Sequence, residues 1–363
     1  MKKILSCLLV AAMMISTLSV AAFANTYVDT SNVKYITSGE YDVQQMKTFL
    51  NNGGIIVDTS NNSGKTVAED LGIAISVSKN LEMNNDMDDP GKDIATLYYK
   101  YGDNLDGVYI INVGTNDVVN QDTLINEAVS VIRARQATDI IDSEETISVD
   151  TQERASSYTA RVLGTFDVTT TREPKGKLNS NYKVYTVQDY SQRDYYIIKA
   201  TVTGYPGCVL GAAYESKYQG EGMYVNIGTS TTSVTVDDYG PSRDIASGSS
   251  SYGVSLDGSF DGEDFTVQFG LNYTKSFNTT DTTVSTTGTS TSRAWNIQLD
   301  DAAQETFFDF SPGVTFDCPY NKTSVAILVY CSYDLDSWNT SVETIYSDRI
   351  ITCTPTTASI SQP

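Results

Sequence analysis

The most regular pattern in this sequence is SYGVSLDGSF at residues 251–260 followed by FTVQFGLNYT at residues 265–274. Apolar and polar residues alternate along both stretches, as is typical of strands with one apolar and one solvated face. The intervening residues 261–264 are polar and include Gly262, which can adopt a positive φ in a tight turn. The sequence therefore predicts an amphipathic β-hairpin.

The length of this hairpin agrees with two kinds of protein. Ten residues rising about 3.3 Å each and tilted by about 40° span roughly 25 Å, the height of the apolar band of a membrane β-barrel. A hairpin in an ordinary β-sandwich alternates in the same way. The apolar set is Tyr252, Val254, Leu256, Phe260, Phe265, Val267, Phe269, Leu271 and Tyr273.

The N-terminus and the composition point to export. Two lysines, an apolar run from Ile4 to Val20 and the small residues before Asn25 predict a signal peptide at residues 1–24 of this 363-residue chain, and hence a secreted protein. The formal net charge of −21 argues against nucleic acid and against electrostatic attraction to anionic lipid. The chain has no histidine, which removes Ser-His-Asp and Cys-His catalysis and the commonest metal ligand.

The remaining patterns predict an α+β multidomain protein. Residues 25–138 combine helical periods at 41–50, 93–101 and 122–135 with apolar strands, which favours a small N-terminal α/β domain with a pro- or accessory role. The polar residues 139–157 are interpreted as a linker, with Arg154 as a candidate processing site. Residues 158–363 predict a mainly antiparallel β-sandwich that carries the hairpin as a stem at about 237–292.

Four cysteines remain after removal of the signal peptide. An exported chain with four cysteines could form two disulfides in any of three connectivities. No C-x-x-C spacing is present, which argues against a zinc ribbon. The four are Cys208, Cys318, Cys331 and Cys353.

Several landmarks around the hairpin resemble, in order and spacing, the leukocidin/α-haemolysin family of β-barrel pore-forming toxins. Residues 238–243 (DYGPSR) resemble the aromatic-Pro-Arg segment that enters the family's stem, and residues 293–297 (RAWNI) resemble the Trp-centred strand that re-enters its sandwich. Further similar segments are 250–254 in the first stem strand, 257–264 at the tip, 272–277 in the returning strand and 310–313 late in the cap. The resemblance covers roughly residues 160–353.

The resemblance implies a non-enzymatic cytolysin without a cofactor. Such a protein binds a target membrane through lipid or a receptor, forms a homo-oligomer and inserts one hairpin per subunit. The apolar set would then face lipid, Asp257 would face the lumen, and Asp261, Glu263 and Asp264 would surround the distal mouth, which predicts cation preference. Candidates for interfacial contact are Trp295, Tyr320 and Trp338, although both tryptophans also suit a sandwich core.

Two other functions remain open from the sequence. A secreted adhesin or carbohydrate-binding module could use some of the 24 tyrosines for sugar stacking, and its hairpin would stay in the sandwich. A glycosidase would need a pair of carboxylates, and no pair stands out by its context.

Overall fold

A computed structural model gives the fold of most of the chain. The residues that it describes are 32–37, 40–60, 64–79, 89, 91–102, 105–138, 144–149, 156–188, 193–242, 252–261, 264–273, 282–300, 304–319, 322, 324–337 and 340–354.

Three helices form in the N-terminal third of the described chain. They are α1 (Val43–Asn51), α2 (Gly64–Leu71) and α3 (Gln121–Thr138). The Asp42 carboxylate caps α1 by accepting a 3.0 Å hydrogen bond from the backbone N–H of Gln45. Gly53, with φ +77°, lets the chain turn from α1 into the following strand.

The rest of the described structure is mostly strand. The strands are β1 (Val33–Ile36), β2 (Ile55–Asp58), β3 (Ile75–Lys79), β4 (Lys92–Tyr101), β5 (Leu105–Val113), β6 (Glu144–Val149), β7 (Ser156–Arg172), β8 (Gly176–Gln188), β9 (Arg193–Pro206), β10 (Tyr218–Thr229), β11 (Thr235–Gly240), β12 (Tyr252–Asp261), β13 (Asp264–Tyr273), β14 (Thr282–Gly288), β15 (Ser292–Leu299), β16 (Phe308–Phe310), β17 (Gly313–Pro319), β18 (Val325–Ser337) and β19 (Thr340–Cys353).

These strands form two sheets, most of whose pairs are antiparallel. The first sheet has the order β1-β2-β4-β5-β7-β8-β9-β17-β11, with β16 beside β9 and with β6, β12 and β13 reached through β7. The second sheet has the order β14-β15-β10-β18-β19-β3. This arrangement confirms the predicted mainly antiparallel β-sandwich.

The core lies between the two sheets. Phe166 and Tyr182 of the first sheet belong to the same buried cluster as Trp295 and Tyr333 of the second. The sheets approach so closely that a Cβ on Gly204 would lie 2.5 Å from the Tyr333 ring, which explains the glycine at that position in β9. A second buried cluster covers the other face of β4 and β5, where α3 packs.

Residues 33–113 contribute strands to both sheets. β5 pairs parallel with β7 over Asp106–Val113, and β3 pairs antiparallel with the last strand, β19. The buried Arg349 guanidinium of β19 adds a 2.7 Å hydrogen bond to the Asp93 carboxylate of β4. The segment expected to form its own α/β domain is therefore joined to the sandwich by backbone pairing and by an ion pair between the buried Arg349 and the half-buried Asp93.

The helix predicted at residues 93–101 is wrong. These residues lie in β4, which pairs with β2 on one side and β5 on the other. Both faces of the strand are covered, so Tyr98 lies in the inter-sheet core while Leu97 and Tyr99 lie in the cluster beneath α3. A strand that is apolar on both faces loses its two-residue alternation, and for that reason its pattern resembles a short helix.

Candidate functional site

The backbone of β12 and β13 forms the predicted hairpin. Tyr252 pairs with Tyr273 at one end and Asp261 with Asp264 at the other, with a continuous antiparallel register between them. The expected arms at 251–260 and 265–274 are thus confirmed to within one residue. The side chains of these two strands lie outside the part of the structure that is described, as does Glu263 in the turn.

The register sets apolar positions opposite apolar positions. Residues directly opposite in an antiparallel pair belong to the same face of the sheet. The pairs of the apolar face are Tyr252–Tyr273, Val254–Leu271, Leu256–Phe269, Gly258–Val267 and Phe260–Phe265, and those of the polar face are Gly253–Asn272, Ser255–Gly270, Asp257–Gln268, Ser259–Thr266 and Asp261–Asp264.

The edges of this hairpin have few partners. β12 is joined to β6 at Gly258, which lies opposite Val149 in a parallel bridge. Within the described part of the chain, β13 pairs with β12 alone. A strand edge without a ladder partner presents backbone N–H and C=O groups to whatever lies beside it.

The sheet beside the hairpin is buried on both faces. Val184, Ile198 and Val314 of β8, β9 and β17 lie in the inter-sheet core. Ile197 and Thr315, which neighbour them in sequence and point to the opposite face, are also 0% exposed. The next strand, β11, is the last of this sheet and contacts β13.

The strands β11 and β15, which flank the hairpin in sequence, are joined by two side-chain contacts. The Trp295 indole N–H donates a 2.8 Å hydrogen bond to the carbonyl oxygen of Pro241, just after β11. The Arg293 guanidinium lies 4.4 Å from the centroid of the Tyr239 ring, a cation–π contact. β11 and β15 are thus held together independently of the hairpin, and β14 already pairs with β15 in the second sheet.

Trp295 lies in the sandwich core, one of the two positions that the sequence left open, and not at an interface. Its side chain is 0% exposed and packs edge-on against Phe310 with a ring-centroid distance of 6.2 Å. The indole belongs to the core between the sheets because Trp295 and Ile297 lie on the face of β15 that is turned to the first sheet, whereas Asn296 and Gln298 are exposed on the other face. Tyr320, Trp338 and Arg154 lie outside the described residues.

The two expected disulfides are not present. No disulfide joins Cys208, Cys318, Cys331 and Cys353, and the last three are buried. Burial raises the pKa of the Cys331 thiol to about 11 and that of Cys353 to about 12, so both stay protonated and unreactive near neutral pH.

Other site chemistries find little support in the described residues. No three Cys, Asp or Glu side chains converge there as a metal-ligand set. No helix among them is long and apolar enough to cross a membrane.

A second feature, which the sequence analysis missed, is a groove on the outer face of the second sheet. It has a volume of about 460 Å³ and is lined mainly by alternate residues of β10 and β18, Tyr224 and Tyr330 among them. The sequence shows aromatic residues at these alternate positions, but it does not show that they are neighbours. The pairing of β10 with β18 places them side by side.

Comparisons with known proteins gave structural matches alone. No protein-family model and no curated protein sequence matches the chain. Among solved structures it is similar to the Clostridium perfringens NetB toxin in its membrane-inserted form, at 9% identity and a TM-score of 0.29, over 51% of this chain and 95% of that one.

Two further solved structures are similar at the same level. Clostridium perfringens delta-toxin matches at 12% identity and a TM-score of 0.35 over 58% of this chain and 94% of that one. A structure described as a pore-forming protein matches at 9% identity and a TM-score of 0.29, over 58% and 96%. With TM-scores below 0.5, these three matches do not assign a family.

Proposed function

We propose that this chain is a secreted pore-forming protein whose β12–β13 hairpin leaves the sandwich and forms part of a transmembrane β-barrel. The observation that carries the proposal is the register of the hairpin. It collects the large apolar positions of both arms on one face and the small or polar positions on the other, over ten paired residues in each arm. A lipid-facing outside and a water-facing inside require that division.

Among the described residues, few backbone groups at the outer edges of β12 and β13 have ladder partners, and a barrel built from this hairpin therefore needs several copies of the chain. Inside a bilayer every backbone N–H and C=O must be paired within the protein, so a single hairpin with free edges is not stable there. Hairpins from neighbouring subunits supply the missing ladders, and a closed ring leaves no edge. The expected partners are therefore other copies of this chain and a target membrane, reached through its lipid or a receptor.

The polar face would line the lumen. Asp257 lies opposite Gln268 on that face, and Asp261 lies opposite Asp264 next to the turn. Repeated around a ring, these carboxylates, together with Glu263, favour passage of cations.

The segment at residues 139–157 is proposed to restrain the hairpin. Its strand β6 pairs with β7 of the sandwich and touches β12 through Val149 and Gly258. Cleavage near Arg154 would separate β6 from the strand that follows it and weaken this restraint.

Dye release tests the proposal. The chain without residues 1–24 is added to liposomes and to a panel of cell types, with and without trypsin, and membrane-bound protein is analysed on unheated SDS gels. We expect release together with a large SDS-resistant species. A strictly monomeric protein that releases nothing from any liposome or cell would overturn the proposal.

A further inference from the structure

The groove on the second sheet lies on the side away from the core. Val225 and Ile227 of β10, with Val329 and Cys331 of β18, point into the inter-sheet core and are at most 1% exposed. The residues between them in sequence point outward because strand side chains alternate. The outward set forms the groove of about 460 Å³.

Two tyrosine rings and a glycine shape this groove. The Tyr224 and Tyr330 rings lie 5.8 Å apart at an angle of 62°, so they form one half-buried aromatic corner. Gly228 continues the same face of β10 without a side chain, and a Cβ there would come within 2.9 Å of the Ser292 Cβ. Ser292 of the neighbouring strand therefore packs closely against Gly228, and both residues line the groove beside the aromatic corner.

The polar groups of the groove stand in two adjacent rows across the sheet. Asn226 lies opposite Tyr330, which in turn lies opposite Asp348, while Tyr224 lies opposite Ser332. The Asn226 amide donates a 3.4 Å hydrogen bond to the Tyr224 hydroxyl, and Ser332 and Asp348 are each 5% exposed. Amide, hydroxyl and carboxylate groups thus converge next to two aromatic faces.

This chemistry selects against anions. The Asp348 carboxylate lies in the wall of the groove, and no Lys or Arg is among its lining residues. The whole chain carries a formal charge of −21. A ligand here must offer hydroxyl groups for the polar row and a flat C–H face for the rings.

We infer that the groove binds a neutral carbohydrate, with a sugar ring against Tyr224 and Tyr330 and its hydroxyls bonded to Asn226, Ser332 and Asp348. A pocket with aromatic walls and a few convergent polar groups is the usual form of a small-ligand site. Such a site would attach the protein to a glycan on a cell surface. It does not rest on the pore proposal, because sugar binding needs neither a membrane nor oligomerisation.

Binding to immobilised glycans tests this inference. The chain without residues 1–24 is applied to an array of neutral hexose- and N-acetylhexosamine-terminated oligosaccharides and their sialylated counterparts. We expect binding to one or more neutral oligosaccharides, and weaker binding to the sialylated form of the same glycan. Tyr224→Ala should weaken binding by about tenfold, the loss of one aromatic contact.

Matched variants separate a binding role from a folding role. Asp348→Asn keeps the size of the side chain and should also weaken binding, while Tyr35→Ala, at a tyrosine 48% exposed on the first sheet, should leave it unchanged. Circular dichroism and thermal melting must show that each variant is folded, and Asn226→Ala replaces any that is not. No binding to any glycan, binding indifferent to the groove variants, preference for sialylated glycans, or a site that takes choline and no sugar would each overturn the inference.

Discussion

The hairpins β12–β13 and β18–β19 are both antiparallel pairs of long strands, yet their neighbours differ. β18–β19 lies between β10 and β3, so both of its edges carry ladder partners, and Ile327, Tyr333 and Leu335 are fully buried in the core. β12–β13 meets β6 at Gly258, and β13 has β12 alone as a partner within the described chain. Alternation therefore predicts an amphipathic hairpin, whereas the edge partners determine whether it is a permanent part of the sandwich.

A reversible disulfide that holds β12 to β6 should have the largest effect on the proposed pore-forming activity. Val149 and Gly258 lie opposite each other, so the double variant Val149→Cys/Gly258→Cys places two thiols across the bridge between β6 and β12. The oxidised protein should release liposome dye only at the background rate, because the hairpin cannot leave, and reduction should restore release. The single variants are the controls. Full release by a protein shown to be oxidised would contradict the proposed movement.

Replacing a large side chain by alanine in β15 and in β13 should separate an effect on stability from an effect on dye release. Trp295→Ala removes a fully buried indole and should lower the free energy of unfolding by about 3–5 kcal/mol. Phe269→Ala, in the arm whose proposed role is to face lipid, should lower it by no more than about 1 kcal/mol while reducing dye release. Urea unfolding and release assays on both variants provide the measurement. Equal losses of stability would show that β13 is as much a part of the folded sandwich as β15.

The polar face of the hairpin should control ion selectivity. Asp257→Asn removes one carboxylate per subunit from the proposed lumen, so the preference for cations should fall while release of a neutral dye continues. The reversal potential of single channels in a salt gradient measures this change. Asp336→Asn, at an exposed position of β18, is the matched control and should leave the potential unchanged. An identical potential for wild type and Asp257→Asn would remove Asp257 from the lumen.

The smallest expected effect is on the free energy of unfolding, through the Asp334 carboxylate of the β18–β19 hairpin. Burial raises the pKa of Asp334, although a 2.7 Å hydrogen bond from the Thr344 hydroxyl partly opposes the shift. With its pKa higher in the folded than in the unfolded state, the folded state binds more protons, and the stability contributed by Asp334 falls as pH rises through the carboxyl range.

Asp334→Asn should therefore raise the free energy of unfolding at neutral pH by less than about 1 kcal/mol. The gain should disappear at acidic pH, where Asp334 is protonated. Neighbouring Glu221 has a pKa raised by burial and by the charges of Asp336 and Asp334, so it should become easier to ionise in the variant. A variant less stable than wild type at neutral pH in urea unfolding would contradict the direction of this shift.

The periodic spacing of apolar residues predicted those helices and strands that have one apolar side. The hairpin arms, α1 and α3 were found within a few residues, because a helix or an amphipathic strand repeats its apolar side at a fixed period. The position of Trp295 was not predictable in this way. An aromatic residue suits both a core and a membrane interface, and the pairing of β15 with β10, which sets Trp295 opposite the core residue Val225, makes it a core residue.

The sequence by itself determined the apolar and polar sets of the hairpin, the acidic charge and the lack of histidine. Only the tertiary structure showed that β5 pairs with β7, that β3 pairs with β19 some 270 residues later, and that β10 and β18 bring Tyr224 and Tyr330 into one groove. The physical reason is that strand pairing joins residues remote in sequence, and no local period records which edges meet. The strands that pair with a hairpin are therefore known only from the tertiary structure, and they decide how firmly the hairpin is held.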